Sequence, residues 1–201
     1  QEQVQQLLQV EDLVHLEEVG DLALAHLVEV ALVGEGEASK IYGGNYMKSD
    51  YDIIEIKKDN INLIEDLWEK NRIFHQNKTS NFSYQYLNLN FNERMKNIFN
   101  SKNIKYYKIS AIINKNNIVG YCLSIIQGSS GELCTLFVDE QHRNNGLGHL
   151  LVDKHLNWLK DNKCESIFVN VLVENESTIR FYESLGFKQN IINMEIPLKK
   201  I

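Results

Sequence analysis

Residues 140–159 read EQHRNNGLGHLLVDKHLNWL, and the reading of this stretch decides the fold. Six polar residues run into two glycines, Gly146 and Gly148. Leu147, Leu150, Leu151, Leu156 and Trp158 then fall on and near one side of a helix. Glycine at a helix start costs backbone entropy and contributes no packing. Two accounts are open: a tight, glycine-assisted turn, or a backbone that something must approach closely. A strand that feeds a short loop and then a helix brings several unbonded N–H groups to one point, where the helix dipole adds partial positive charge. Such a point suits an anion, phosphate above all, and Arg143 adds a formal charge. The GK[ST] ending of a P-loop is missing, and no third glycine completes a dinucleotide fingerprint.

Outward from the loop, ELCTLFVDE (132–140) is the strand that leads into it, and the helix runs from Gly146 to about Lys160. Upstream, KYYKISAIIN (105–114) and IVGYCLSIIQG (118–128) form a hairpin around Lys115-Asn116-Asn117. YDIIEIK (51–57) is a first strand. NLIEDLWEKNRIF (62–74) and NFNERMKNIFNS (90–101) are helices by the spacing of Leu63, Ile64, Leu67, Trp68 and Phe74, and of Phe91, Met95, Ile98 and Phe99. Downstream, SIFVNVLVE (166–174) is a nearly continuous buried strand. NESTIRFYESLGF (175–187) is a helix capped by Asn175 and stopped by Gly186, and IINMEIPLK (191–199) is a last strand. The order β-α-α-β-β-β-α-β-α-β(β) gives an α/β (α+β) fold with a mixed sheet.

At 201 residues, 43% of them hydrophobic, the chain can bury a core and hold one domain plus an appendage. Cys122, Cys134 and Cys164 are scattered, without CxxC spacing, and read as reduced thiols of a cytoplasmic protein. No HxxxH pair occurs, so no metal site is expected, and no run of about 18 apolar residues calls for a membrane span. The net charge of −6 is uneven: residues 1–46 carry nine acidic residues and one lysine, which leaves +2 on residues 47–201. A nearly neutral body exerts no strong pull on nucleic acid. The first forty residues also lack Asn, Ile and Arg, whereas the chain from Asn45 is crowded with Asn, Ile and Lys. Residues 1–46 are read as an acidic helical extension with a Gly-rich linker, fused to a functional domain at 47–201. The other reading makes it a tether or partner-binding helix native to the protein.

The loop Arg143-Asn144-Asn145-Gly146-Leu147-Gly148 resembles the R/Q-x-x-G-x-G/A motif of the GNAT acetyltransferase superfamily, and LFVDEQH before it resembles that family's fourth strand. NVLVENESTIRFYESLGFK is similar to the second signature, N-x-x-A-x-x-F-Y-x-x-x-G-F. Asn175, Phe181, Tyr182, Gly186 and Phe187 fall in register, and Thr178 stands where alanine is usual. The resemblance covers about residues 50–200 and implies a mixed, mostly antiparallel sheet of six to seven strands flanked by four helices. It implies an N-acetyltransferase that moves the acetyl group of acetyl-CoA directly to a primary amine of a small molecule or peptide. By motif position, the backbone of Arg143, Asn144, Asn145, Gly146, Leu147 and Gly148 would hold the pyrophosphate. Leu136, Phe137 and Val138 would pair with the pantetheine arm, and the Leu136 N–H would face the thioester carbonyl. Asn175 would cap its helix and touch the pantetheine, and Tyr182 would protonate the departing thiolate. Glu132 lies where some members carry a glutamate base; it reads equally as a strand glutamate facing solvent. His75, at the end of a helix, is a second candidate base or else a surface or satisfied core histidine. Phe82, Tyr84, Tyr86 and Phe91, within 75–92, line an amine pocket by cation–π contact or else fill the core.

Two rival functions stay open. A tRNA-directed acetyltransferase toxin would favour a basic stripe, and a non-catalytic acetyl-CoA sensor would not need Tyr182. The expected partners are acetyl-CoA and an amine acceptor, with no membrane, little sign of nucleic acid and room for a homodimer.

Overall fold

A computed structural model describes residues 50–197; the extension read at 1–46 lies outside them. The chain forms β1 (Asp52–Glu55), a 3-10 turn (Lys58–Ile64), α1 (Glu65–Lys78), the single turn α2 (Tyr84–Leu87) and α3 (Phe91–Phe99). It continues through β2 (Ile104–Asn114), β3 (Asn117–Gln127), β4 (Ser130–Val138), a 3-10 turn (Glu140–His142), α4 (Leu147–Asp161), β5 (Ser166–Phe168) and α5 (Glu176–Ser184). The sheet order is β1-β2-β3-β4-β5, antiparallel throughout except for the parallel pair β4–β5.

The long runs in β2 and β3 are apolar without alternation because helices cover both faces of the sheet. On one face, Leu67 and Trp68 of α1 and Phe91, Met95 and Ile98 of α3 pack on Ile109, Ala111, Tyr121, Leu123 and Phe137. On the other, Leu147, Leu151, Val152 and Leu159 of α4 and Tyr182 of α5 pack on Ile112, Val119, Cys122, Ile126 and Leu133. The expected hairpin closes with Asn114 opposite Asn117. Lys115 and Asn116 take φ of 46° and 67°, the paired left-handed conformations of a two-residue turn that matches strand twist. Asn90 and Asn175 cap α3 and α5 through their side-chain oxygens, as Asp/Asn do at helix starts.

Two expected features differ. The described residues form five strands, not six to seven, and the strand read over 166–174 stops at Phe168 after three pairs with β4. The cause lies in β4. Thr135 faces Leu123 and Leu133 faces Ser124, so Cys134 is an extra residue, a bulge placed just past the last β4–β5 pair at Glu132. A bulge bends its strand and sharpens the local twist, which turns β4 off the line of β5. Val169 and Val171 still pack on the second core, which accounts for their apolar pattern. The last strand, read at 191–199, is also not formed over 191–197: Ile192, Met194 and Ile196 are 75%, 89% and 82% exposed. A β5 of three residues offers little edge for such a segment to pair with.

One polar cluster sits inside the sheet–α4 interface. His155 is fully buried, with Nδ1 2.7 Å from Ser124 Oγ and Nε2 3.1 Å from Ser110 Oγ. Ser110 spends its own proton on Glu55 Oε1 at 2.9 Å, so its oxygen accepts from Nε2–H and the Ser124 hydroxyl donates to Nδ1. Glu55 in turn pairs with Lys108 and Lys154 at 2.9 and 3.1 Å.

Candidate active site

The bulge creates an opening. Beyond Glu132 no strand lies on the outer side of β4 among the described residues. The Asp139 N–H donates to Val119 O at 2.8 Å, which makes Val119–Asp139 a bonded pair, and Tyr121–Phe137 follows two residues back. Alternation along an antiparallel ladder then turns the N–H and C=O groups of Val138 and Leu136 away from β3, into the opening. The Val138 carbonyl does face outward, since it accepts from Arg143 Nε at 2.9 Å. The side chains of Leu136 and Val138 pack on the second core, and Phe137 is buried in the first.

The opening ends at the glycine loop. Asn144 and Gly146 take φ of 64° and 75°, and the first backbone bond into α4 runs from Leu150 N to Gly146 O at 3.0 Å. Among the described residues, the N–H groups of Asn144, Asn145, Gly146, Leu147, Gly148 and His149 meet no acceptor. A Cβ on Gly148 would touch the Phe181 ring at 3.4 Å, so this position holds α4 close to α5. The Arg143 charge does not swing free: its guanidinium also lies 5.6 Å from the centre of Phe74 and 5.3 Å from that of Phe137.

The far wall comes from α5. Asn175 is 1% exposed, and its Oδ1 accepts from the Ser177 hydroxyl at 3.0 Å and the Thr178 N–H at 3.4 Å, while its Nδ2 is buried without a partner. Tyr182 is buried with its ring edge-on to Phe181 and Phe187, and Gly186 ends the helix with φ of 92°. Burial, and then the nearby Cys122 sulfur, push its phenol above the ordinary tyrosine range. Cys122 stands opposite Leu136 in the ladder and shares the second core with Tyr182 and Leu136, so Tyr182 lies on the α4–α5 face at the level of Leu136. Glu132 lies at the closed end, where its carboxylate accepts from Asn170 Nδ2 at 3.4 Å. The Cys134 thiol is pushed up to about 12 by burial and by Glu132, so it is no thiolate at neutral pH.

Helix α1 crosses above the opening, a placement the sequence did not reveal. Lys70 pairs with Asp139 at 2.6 Å, and Asn71 Nδ2 donates to Thr135 Oγ1 at 3.1 Å, where Tyr121 Oη also bonds at 2.9 Å. Just past the helix, the Ser80 N–H and hydroxyl both donate to Glu174, the residue before Asn175. The one signal in the chain is Asn71 itself, a polar residue one helical turn after the buried Leu67 and Trp68. Of the aromatics in 75–92, Phe91 is core, whereas Phe82, Tyr84 and Tyr86 are half-buried. His142 is bonded to Tyr51, and His149 to Ser184. Among the described residues, no helix is long and apolar enough to cross a membrane, and no cluster of three potential ligands could hold a metal.

Comparison with known proteins gives a consistent result. The model of the Acetyltransferase (GNAT) family matches residues 64–187. The chain is 34% identical to N-alpha-acetyltransferase 60 of Danio rerio over 29% of its own length and 25% of that protein. It is 34% identical to the uncharacterized N-acetyltransferase YobR of Bacillus subtilis (strain 168) over 32% of its length and 26% of that protein. The matches thus span about a quarter of these two curated relatives. In solved structures, an aminoglycoside acetyltransferase from an uncultured soil metagenomic sample, in complex with trehalose, superposes with a TM-score of 0.55 at 18% identity, over 77% of this chain and all of that one. An aminoglycoside N-acetyltransferase in complex with CoA superposes with a TM-score of 0.51 at 14% identity, over 72% of this chain and 98% of that one.

Proposed function

The chain belongs to the GNAT acetyltransferase family, whose enzymes are acyltransferases that use acetyl-CoA, and from that membership we propose that residues 47–201 transfer an acetyl group to a primary amine of a small molecule or peptide. The observation that carries the reading is the opening beside β4, with outward amides at Leu136 and Val138 and six acceptor-free N–H groups at its end. The buried, unpartnered Nδ2 of Asn175 fits the same ligand, because a donor held in the interior without a partner is costly unless a bound group satisfies it.

Acetyl-CoA supplies a thioester whose carbonyl carbon accepts the amine. In this reading the loop from Arg143 to Gly148 binds the diphosphate through its backbone, and Leu136, Phe137 and Val138 bind the pantetheine as an added strand. Asn175 Nδ2 donates to a pantetheine amide oxygen. The Leu136 N–H meets the carbonyl oxygen as it gains charge, a role worth about 3–4 kcal/mol in other sites. Tyr182 holds the proton that the departing sulfur needs. Residues 1–46 are an appended extension with no part in this chemistry. Three free thiols are in keeping with a cytoplasmic setting.

Calorimetric titration with CoA tests the reading, together with thiol release from acetyl-CoA in the presence of an aminoglycoside and a peptide with a free N-terminus. CoA is expected to bind. Gly146→Ala is expected to weaken it about tenfold, because an L residue at φ near +75° costs about 1–2 kcal/mol and the loop relaxes away from the converged geometry. A Cβ at this position meets nothing within 4 Å, so crowding would not explain the loss. Absence of CoA binding to the unaltered chain would sink the reading. Binding without thiol release from any amine would favour a sensor.

A further inference from the structure

His75 lies on the stretch of α1 between its tie to β4 and its tie to the segment before α5. It lies one helical turn after Asn71 on α1, on the same face. Asn71 stands on Thr135 of β4, and Ser80, just beyond the helix, is tied to Glu174 on the far wall, so the turn of α1 that carries His75 spans the opening. Leu136 and Tyr182 belong to the second core, on the face of β4 opposite the one that α1 covers. The His75 ring is stacked on Tyr86 at 5.8 Å and 17°, and edge-on to Phe74 at 5.7 Å.

The two ring nitrogens differ. Nδ1 is buried without a partner; Nε2 is not among the buried unpartnered atoms and makes no hydrogen bond among the described residues, so it meets solvent. His75 and Asn175 hold the two buried unpartnered side-chain nitrogens of the described residues. A structural histidine normally satisfies its buried nitrogen.

Resting on the acetyltransferase reading above, we infer that His75 is the general base, taking a proton from the acceptor's ammonium at Nε2 while Nδ1 keeps the ring's own proton. The freed amine then forms a C–N bond to the thioester carbon. The C–S bond breaks, its electron pair leaves on sulfur, and the sulfur takes the Tyr182 proton. The nitrogen's second proton restores the Tyr182 phenol, and His75 passes its proton to water, so one proton is released per turnover. Burial lowers the His75 pKa below its usual range, which keeps the lone pair available at neutral pH. The ionisable groups around it do not oppose this. Tyr86 is pushed up by burial and stays neutral. Arg72, on the same helix, is held by Glu69 and bonds Gln76 and the Tyr86 carbonyl. Glu174 is committed to Ser80. The competing Glu132 sits at the closed end of the opening, bonded to Asn170.

Two acceptors test the inference with the full chain and acetyl-CoA: hexylamine, protonated at neutral pH, and methoxyamine, which is not. His75→Phe keeps the ring stack on Tyr86, and His75→Gln serves as a second variant should the first fold poorly. Thiol release to hexylamine is expected to fall about 100-fold, with release to methoxyamine within about twofold of the parent. The rising limb of kcat/KM for hexylamine below the ordinary imidazole range should vanish in both variants and persist in Glu132→Gln. An equal fall for the two amines, or a limb that survives in both His75 variants, overturns the inference and leaves the acetyltransferase reading in place. A parent chain that neither binds CoA nor releases thiol overturns both.

Discussion

Tyr182→Phe is expected to lower acetyl transfer at neutral pH by about 100-fold or more, the usual size of a general-acid contribution. The KM for acetyl-CoA should hardly move. The phenol lies buried beside the middle of β4, and burial raises its pKa, so it carries its proton throughout the neutral range. A thiol's ordinary pKa of about 8.5 makes the departing thiolate the weaker base of the pair. The sulfur becomes basic enough to take a proton only as the C–S bond breaks, so the loss of the donor appears in kcat. Above about pH 9 the thiolate needs no proton to remain dissociated, so the gap between parent and variant should narrow. Phenylalanine keeps the ring contacts with Phe181 and Phe187, so the urea midpoint should shift little. Parallel pH–rate curves, or a loss confined to KM, would remove Tyr182 from the chemistry.

The second large effect concerns stability. Desolvation, aided by Lys108 and Lys154, pushes the His155 pKa down to about 3 from an ordinary 6.5. Between those values the unfolded chain takes up a proton that the folded chain refuses. Stability from this residue is therefore whole above about pH 6.5 and falls by about 1.4 kcal/mol per unit as the pH drops toward 3. His155→Phe removes the titration but strips Ser124 and Ser110 of their ring partners, each loss worth about 1–3 kcal/mol. Urea unfolding should show a variant about 2–6 kcal/mol weaker near neutral pH, with a shallower decline than the parent toward pH 5. A parent whose stability is flat over that interval would contradict the assignment.

Local signals carried much of the fold into the sequence. The Lys115-Asn116 turn, the Asn175 cap, Gly186 and the loop from Arg143 to Gly148 are set by a few adjacent residues, and each was legible. What stayed hidden depends on distant partners. SIFVNVLVE has the pattern of a buried strand, yet Val169 and Val171 are covered by the second core with no strand paired beside them. IINMEIPLK alternates as a strand should but has no edge to join over 191–197. The first helix begins at Glu65 and extends to Lys78, past the apolar spacing that ends at Phe74. His155 shares a helix stripe with Leu151 and Leu159, a polar residue in a core register that marks a hidden network without naming its partners. Thr135 and Asn71 meet 64 residues apart in the chain, and no local signal announces that contact.

The extra residue at Cys134 has a consequence for how this segment tolerates changes in length. Strand side chains and amides both repeat every two residues. Removing Cys134 would bring β3 and β4 back into unbroken step and leave Thr135, Leu136 and Phe137 opposite the same β3 partners, but it would take away the bend that turns β4 off the line of β5. The chain could keep its architecture and lose its cleft, so the opening depends on the number of residues in this segment and not on their type alone.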